Sequence, residues 1–89
     1  MTALHTEEYR RFTAALVQAR LRAGLSQYDL ADRLGVDQSF ISKFENNRRR
    51  LDVIEFLRIM EAIGVPYREV LDGLRGTLGS DAVSTLRST

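Results

Sequence analysis

The sequence has no cysteine and no tryptophan, only one proline and one histidine, and no long run of apolar residues. Without cysteine the chain can form neither a disulfide nor a thiolate metal site, so packing alone has to stabilise it. No apolar run is long enough to cross a membrane, and residues 1–15 lack the basic and apolar regions of a targeting signal. We therefore expect a cytoplasmic protein with no cofactor and no membrane partner.

Signals for catalysis are also missing. The single histidine, His5, has no second histidine or cysteine with which to share a metal ion, and such a lone histidine is most often a surface residue. Asp29 and Asp32 are three residues apart on the outside of a predicted helix. Solvated carboxylates, or a helix cap in the case of Asp29, are more typical there than an acid–base pair. Because no nucleophile elbow and no phosphate-binding glycine loop occurs either, we expect no enzymatic activity.

The composition is that of one ordinary folded domain. The chain has 89 residues, of which 44% are hydrophobic and 28% charged, and a chain of this length supports a single core. The formal net charge is only +1, which neither indicates nor excludes a polyanionic partner. The placement of the charges on the fold therefore has to decide that question.

Three helices are predicted in the first half of the chain. Apolar residues recur at helical spacing over residues 6–23, and Gly24 is predicted to end that helix in a left-handed conformation. Ser26 and Asp29 form the cap pattern of a second helix, Gln27 to Leu34, which is followed by Gly35. We expect Asp37 to cap the third helix, Gln38 to about Asn46, with its side chain. The predicted inner positions of the three helices are Phe12, Leu16, Ala19, Leu30, Ala31, Leu34, Ile41 and Phe44.

Two further helices complete the predicted fold. Asp52 and Glu55 repeat the cap pattern and open a fourth helix that ends at Gly64, and Pro66 to about Leu74 is predicted as a fifth. The predicted inner face of the fourth helix consists of Val53, Phe56, Leu57, Met60 and Ile63. No segment alternates as a strand would, so we predict an all-α five-helix domain over residues 6–75. Residues 76–89 are rich in Gly, Ser and Thr and are predicted to form a loosely ordered tail.

The outer face of the third helix is polar and has no acidic residue. Ile41 and Phe44 define its buried side, which leaves five polar side chains on the opposite face: Gln38, Ser39, Ser42, Lys43 and Asn46. Amide, hydroxyl and ammonium groups suit the donor and acceptor edges of bases in a DNA major groove. The alternative is an ordinary solvated helix face, and composition alone favours that alternative.

A family resemblance changes this balance. The segment that carries it is SQYDLADRLGVDQSFISKFENNRRRLDVIEFLRIMEAIGVP, which resembles the helix-turn-helix domain of the Cro and phage-repressor type, the XRE family. The motif spans residues 27–46, with the turn at residues 34–36, and the likeness extends over residues 12–74. The resemblance implies a lambda-repressor-like five-helix DNA-binding domain from a bacterium or phage, associated with the nucleoid in the cytoplasm.

The resemblance also implies roles for individual residues. Gln38, Ser39 and Lys43 match the main base-facing positions of the family, and Ser42 matches a lesser one. Gln27 matches a residue that either braces the recognition helix, which is the third helix, or contacts a phosphate. Arg20 and Glu45 match a partly buried structural ion pair.

Four residues after the recognition helix are candidates for the DNA backbone. Asn47, Arg48 and Arg49 match the positions at which the family's chain passes the sugar-phosphate backbone. Basic side chains at a helix end can instead simply offset the helix dipole. Arg50 is left open between a phosphate contact and an acidic partner in the fourth helix. Phe40 is equally open between a thymine methyl contact and covering the edge of the core.

We predict a homodimer, because one recognition helix alone discriminates only a few base pairs. The candidate interface is an apolar stripe on the fifth helix, with further members in the tail; its residues are Tyr67, Val70, Leu71, Leu74, Leu78, Val83 and Leu86. The alternative is that this stripe merely closes the core. The leading hypothesis is a dimeric transcriptional repressor of an inverted-repeat operator. The competing one is an antitoxin or another module that binds a partner protein, and control of a restriction-modification operon is also compatible.

Overall fold

The computed structural model describes residues 6–78, which form five α-helices and no strand. The helices are α1 (Glu7–Arg22), α2 (Gln27–Leu34), α3 (Gln38–Glu45), α4 (Val53–Ile63) and α5 (Tyr67–Leu78). This confirms the predicted all-α five-helix architecture. Among these residues, no helix is long and apolar enough to cross a membrane.

The helix boundaries follow the predicted local signals. Both predicted capping boxes are present, because Ser26 with Asp29 and Asp52 with Glu55 exchange side-chain and backbone hydrogen bonds at the starts of α2 and α4. Gly35 ends α2 with a φ of 71°, a left-handed conformation that costs a residue with a Cβ atom about 1–2 kcal/mol. The prediction for Asp37 was wrong. It occupies the N-cap position of α3, but its side chain makes no capping hydrogen bond there.

Side chains from all five helices meet in one core. Its most deeply buried large side chains are Leu16, Leu30, Ile41, Phe44, Ile59 and Val70. Phe12 packs at the margin of this core, with its ring centroid 5.3 Å from that of Phe56. Two residues of α3, Ile41 and Phe44, lie in this core. The opposite face of α3 therefore points away from the bundle.

The inner face of α4 differs from the prediction. Phe56, Met60 and Ile63 are buried as predicted, and so is Ile59, which the prediction omitted. Val53 and Leu57, by contrast, are 71% and 39% exposed. The buried stripe of α4 runs through residues 56, 59 and 63. The stripe through residues 53 and 57 lies at its edge, where no other helix of residues 6–78 buries it.

The fifth helix is longer than predicted. It runs from Tyr67 to Leu78, so the predicted boundary between domain and tail at residues 75 and 76 falls inside α5. Gly73 and Gly76 lower helix propensity by about 1 kcal/mol each, but neither ends α5, in contrast to the left-handed Gly35 and Gly64 after α2 and α4. The rest of the predicted tail, with Val83 and Leu86, lies outside the described residues, as does His5.

Candidate nucleic-acid interface

The outward face of α3 carries the five predicted polar side chains. Ile41 and Phe44 are fully buried on its other side. Ser39, Lys43 and Asn46 are exposed, while Gln38 and Ser42 are partly exposed. None of the five side chains is acidic, so the face presents hydrogen-bond donors, neutral acceptors and one positive charge. This combination matches the requirements for contacts with base edges.

Gln38 is oriented by a second glutamine. Its Nε2 donates to Oε1 of Gln27 at 2.7 Å, and Nε2 of Gln27 in turn donates to Oε1 of Glu45 at 2.8 Å. Gln27, at the start of α2, is therefore hydrogen-bonded to both ends of α3. Within residues 6–78, the Oε1 atom of Gln38 and its second N–H have no hydrogen-bond partner, and a bidentate contact with adenine needs that same pair of groups.

This chain of hydrogen bonds ends on a buried ion pair. Arg20 donates from Nε to Oε2 of Glu45 at 2.7 Å and from Nη2 to Oε1 at 3.0 Å. Its Nη1 donates to the carbonyl of Leu25 at 2.8 Å. The side chains of Arg20 and Glu45 are only 9% and 5% exposed. The ion pair implied by the resemblance is thus present. It joins α3 to α1, and Arg20 also bonds the connection between α1 and α2.

Asn47 follows α3 in a left-handed conformation, with a φ of 60°. It is the only residue other than glycine in residues 6–78 to do so, and asparagine tolerates this region better than most residues. Its Oδ1 accepts a hydrogen bond from the hydroxyl of Thr13 at 2.9 Å. Asn47 therefore turns the chain out of α3 and ties that turn to α1, while its amide nitrogen remains on a partly exposed surface.

The three consecutive arginines differ in their surroundings. Arg49 donates from Nη1 and Nη2 to the two carboxylate oxygens of Glu55, at 3.0 and 2.8 Å. Its guanidinium carbon also lies 4.8 Å from the ring centroid of Phe40. The acidic partner in α4 that sequence analysis considered for Arg50 thus belongs to Arg49. Arg48 and Arg50 are exposed, and within the described part of the chain their side chains have no hydrogen-bonding or ionic partner.

Electrostatics agrees with the contact between Arg49 and Glu55. Hydrogen bonds from Arg49 lower the pKa of the Glu55 carboxyl, and the backbone amide of Asp52 lowers it further. The hydrogen bonds to Glu55 in turn raise the pKa of Arg49 above its already high value. At Asp29, the backbone and side-chain hydrogen bonds from Ser26 lower the pKa of the carboxyl, and the same hydrogen bonds form the capping box of α2.

Phe40 packs against the core. Its ring lies edge-on to that of Phe44, with the centroids 5.7 Å apart, and one face is next to Arg49.

The structure also contains two supporting contacts that sequence analysis missed, namely Thr13 with Asn47 and Tyr9 with Leu51. In the second, the backbone N–H of Leu51 donates to the hydroxyl oxygen of Tyr9 at 3.0 Å. A threonine on the apolar side of the first helix was the one sequence signal for the first contact.

The apolar stripe of α5 is divided between core and surface. Val70 is only 2% exposed and closes the core, whereas Tyr67 and Leu71 are 49% and 41% exposed. Leu74 is partly buried. The neighbouring helix α4 adds three more exposed aliphatic side chains, namely Val53, Ile54 and Leu57. Exposed apolar side chains are therefore present on α4 as well as on α5.

Comparison with known proteins is consistent with this geometry. An XRE-family like protein from Pseudomonas syringae pv. tomato str. DC3000 is 44% identical, over 82% of this chain and 89% of that chain, with a TM-score of 0.76. The restriction-modification controller protein C.Esp1396I, solved as a tetramer in complex with its natural 35 base-pair operator, is 26% identical over 79% of this chain and 92% of that chain, with a TM-score of 0.72.

A second controller protein, C.AhdI from Aeromonas hydrophila, is 28% identical over 73% of this chain and 98% of its own, with a TM-score of 0.66. No curated protein sequence matches the chain. The helix-turn-helix family model matches residues 16–70, which include α2, α3, α4 and the buried residues of α1 from Leu16 onward. The chain therefore belongs to the XRE-type helix-turn-helix family of DNA-binding transcription regulators.

Proposed function

We propose that the protein is a dimeric repressor that binds double-stranded DNA in the nucleoid and reads an inverted-repeat operator through α3. The observation that carries this proposal is the outward face of α3, which is free of acidic residues and is held from behind by the hydrogen-bond chain from Gln38 to Arg20. A surface that has to match base edges within hydrogen-bond distance gains from such prior orientation.

Each polar residue of this face has a proposed partner in the groove. Gln38 pairs with adenine through its free Oε1 and its second N–H, and Lys43 donates to the N7 and O6 acceptors of guanine. Ser39 and Ser42 donate to or accept from either kind of base pair. A well-formed bidentate contact contributes about 1–3 kcal/mol of discrimination against the wrong base.

Residues beside this face are proposed to contact the DNA backbone. Arg48 is exposed and lacks an acidic partner in residues 6–78, so it is the strongest candidate for a phosphate contact. Gln27 and the amide nitrogen of Asn47 are neutral donors in the same region, and neither is fully buried. Such contacts position the protein without specifying a sequence. Arg49 is not included among these contacts, because its guanidinium is paired with the carboxylate of Glu55.

Dimerisation is proposed to occur through the exposed apolar residues of α4 and α5. Tyr67 and Leu71 stay in this interface, with Leu74 at its margin, and Val53, Ile54 and Leu57 join it. Val70 supports the interface only from inside the core. A two-fold dimer would place two recognition helices about 34 Å apart, in successive major grooves on one side of the DNA. The oligomeric operator complex of C.Esp1396I supports this arrangement.

Selection of bound duplexes from a random DNA pool, followed by sequencing, tests the proposal. We expect enrichment of an inverted repeat whose half-sites are centred about one helical turn, or 10–10.5 base pairs, apart. A single unrepeated half-site would contradict the dimer while leaving base reading in place. A pool without enrichment over the input would contradict sequence-specific binding itself.

Control of a restriction-modification operon is the second candidate function. It is supported by the similarity to two controller proteins at 26% and 28% identity, each over more than 90% of the relative's length. The alternative of a protein-binding antitoxin depended on residues 78–89, and residues 79–89 lie outside the part of the chain that the structure describes. Recovery of the selected motif upstream of adjoining methyltransferase and endonuclease genes would favour the controller function over general repression.

A further inference from the structure

Arg49, Glu55 and Phe40 form one cluster, which we call the Arg49 clamp. The guanidinium of Arg49 meets both carboxylate oxygens of Glu55 and lies over the ring of Phe40. Phe40 belongs to the first turn of α3, and Glu55 to the first turn of α4. Arg49 itself lies in the connection between these helices. One side chain therefore links both helices that follow the turn of the motif.

The hydrogen-bonding capacity of Arg49 is largely used within the protein. Of its five N–H groups, two donate to Glu55, and Nη1 also donates to the carbonyl of Arg50 at 2.9 Å. The carboxylate of Glu55 offsets the positive charge and would repel a phosphate brought close to it. Arg48 has no such acidic neighbour in the described part of the chain.

We propose that Arg49 is a positioning residue, which sets the angle of α3 against α4 and hence the depth at which the base-facing side chains enter the groove. This inference rests on the proposed function in so far as it concerns DNA. Hydrogen bonds to bases tolerate only a few tenths of an ångström, so a shift of α3 impairs base contacts before it affects attraction to phosphates. Arg49 thereby contributes to specificity without itself contacting the operator.

The exposure of the clamp makes the proposal testable without unfolding the protein. The side chains of Arg49 and Glu55 are 41% and 28% exposed, and ion pairs so exposed contribute little to folding stability. Glu55→Gln removes the charge but keeps an oxygen that can accept from the N–H of Asp52, so the capping box survives. Circular dichroism would verify that each variant remains helical and folded.

The first test compares binding to the selected operator and to random DNA over a range of salt concentrations. We expect Arg49→Ala and Glu55→Gln each to lower the preference for the operator by about tenfold, the equivalent of one weakened base contact. The double variant should lose no more than either single variant, because both remove one clamp. The dependence of log K on log salt should stay as in the parent. The matched control, Arg48→Ala, should reduce that slope by about 0.9.

A phosphate contact by Arg49 would give the opposite pattern. Arg49→Ala would then weaken binding to both DNAs and reduce the salt slope, as Arg48→Ala does, and Glu55→Gln would tighten binding by freeing the cation. Either result would overturn the positioning role. If the parent itself did not distinguish operator from random DNA, the proposed function would fail, and the geometry of the clamp would be judged by the second test alone.

The second test needs no DNA. The chain has no cysteine, so spin labels can be attached only at the introduced residues of Ser39→Cys and Glu61→Cys, which lie at exposed positions of α3 and α4. Pulsed electron double resonance should give a narrow distance distribution in this background. We expect Arg49→Ala and Glu55→Gln to broaden or shift it and Arg48→Ala to leave it unchanged. An unchanged distribution in all three variants would contradict the clamp.

Discussion

Two arginine–glutamate pairs hold α3, and they differ mainly in burial. Arg20 and Glu45 approach to 2.7 Å with side chains 9% and 5% exposed. Arg49 and Glu55 approach to 2.8 Å with side chains 41% and 28% exposed. Both pairs are bidentate, so their local chemistry is nearly the same. This difference in burial gives the pairs different tasks. The buried pair stabilises the fold, and the exposed pair aligns α3 with α4.

Burial determines what each pair contributes. A charge taken out of water is stable only while its partner remains, so removal of one member of a buried pair is costly. Water and salt screen the exposed pair, whose net contribution to folding is small. The pair of Arg20 and Glu45 is therefore required for the stability of the domain. The Arg49 pair can be altered with little loss of stability, so that effects on DNA recognition can be measured in a folded protein.

The largest expected effect follows from Arg20→Met. This change leaves Glu45 buried without its cation and the carbonyl of Leu25 without a donor. We expect the free energy of unfolding, measured with urea, to fall by about 3–5 kcal/mol. The matched change Arg49→Met should lower it by less than about 1 kcal/mol. Similar losses for the two variants would show that burial does not distinguish these pairs.

A smaller effect is expected at Asn47, which links the end of α3 to α1. Asn47→Ala removes the hydrogen bond with Thr13 and places an alanine at a φ of 60°, so unfolding should require about 1–2 kcal/mol less free energy. Asn47→Gly loses the same hydrogen bond but tolerates this conformation, and should cost about half as much. The comparison uses thermal and urea unfolding without DNA. Equal losses would mean that backbone strain contributes nothing here.

The smallest effect concerns pH at the exposed pair. The folded pKa of Glu55 is lowered, so its stabilising contribution is present above the unfolded value of about 4.3 and is lost as the pH falls through the folded value. The parent should therefore exceed Glu55→Gln in stability at pH 7 by less than about 1 kcal/mol. Urea unfolding at pH 3 should show a smaller difference. If the difference in unfolding free energy between parent and variant stayed constant or grew at low pH, this effect of the Glu55 pKa on stability would be contradicted.

The parts of the fold that depend only on residues close together in the sequence were predictable. Both capping boxes and the glycine ends of α2 and α4 follow from patterns spanning a few positions, and the sequence contains all of them. The end of α5 was not predictable, because Gly73 and Gly76 are of the same residue type as Gly35 and Gly64, which follow α2 and α4, and yet both lie within the helix. Val53 and Leu57 have the spacing of inner residues, but exposure depends on which helices cover them, and that is a property of the whole bundle.

The candidate site shows the same division. Helical periodicity was sufficient to place Gln38, Ser39, Ser42 and Lys43 on one outward face, and the family resemblance implied the pair of Arg20 with Glu45. The partner of Arg49 could not be assigned, because three adjacent arginines look alike in sequence. Only the path of the connection between α3 and α4 brings the middle one to Glu55.

The outward face of α3 is proposed to read bases, while the residues around it hold that helix in place. The most direct measurement is the ratio of affinities for the selected operator and for random duplex DNA, compared between the parent and Gln38→Ala. We predict that the ratio falls by about 5- to 150-fold, the equivalent of 1–3 kcal/mol, while affinity for random DNA stays the same. Equal losses on both DNAs would contradict the claim, because Gln38 would then contribute to general attraction and not to sequence recognition.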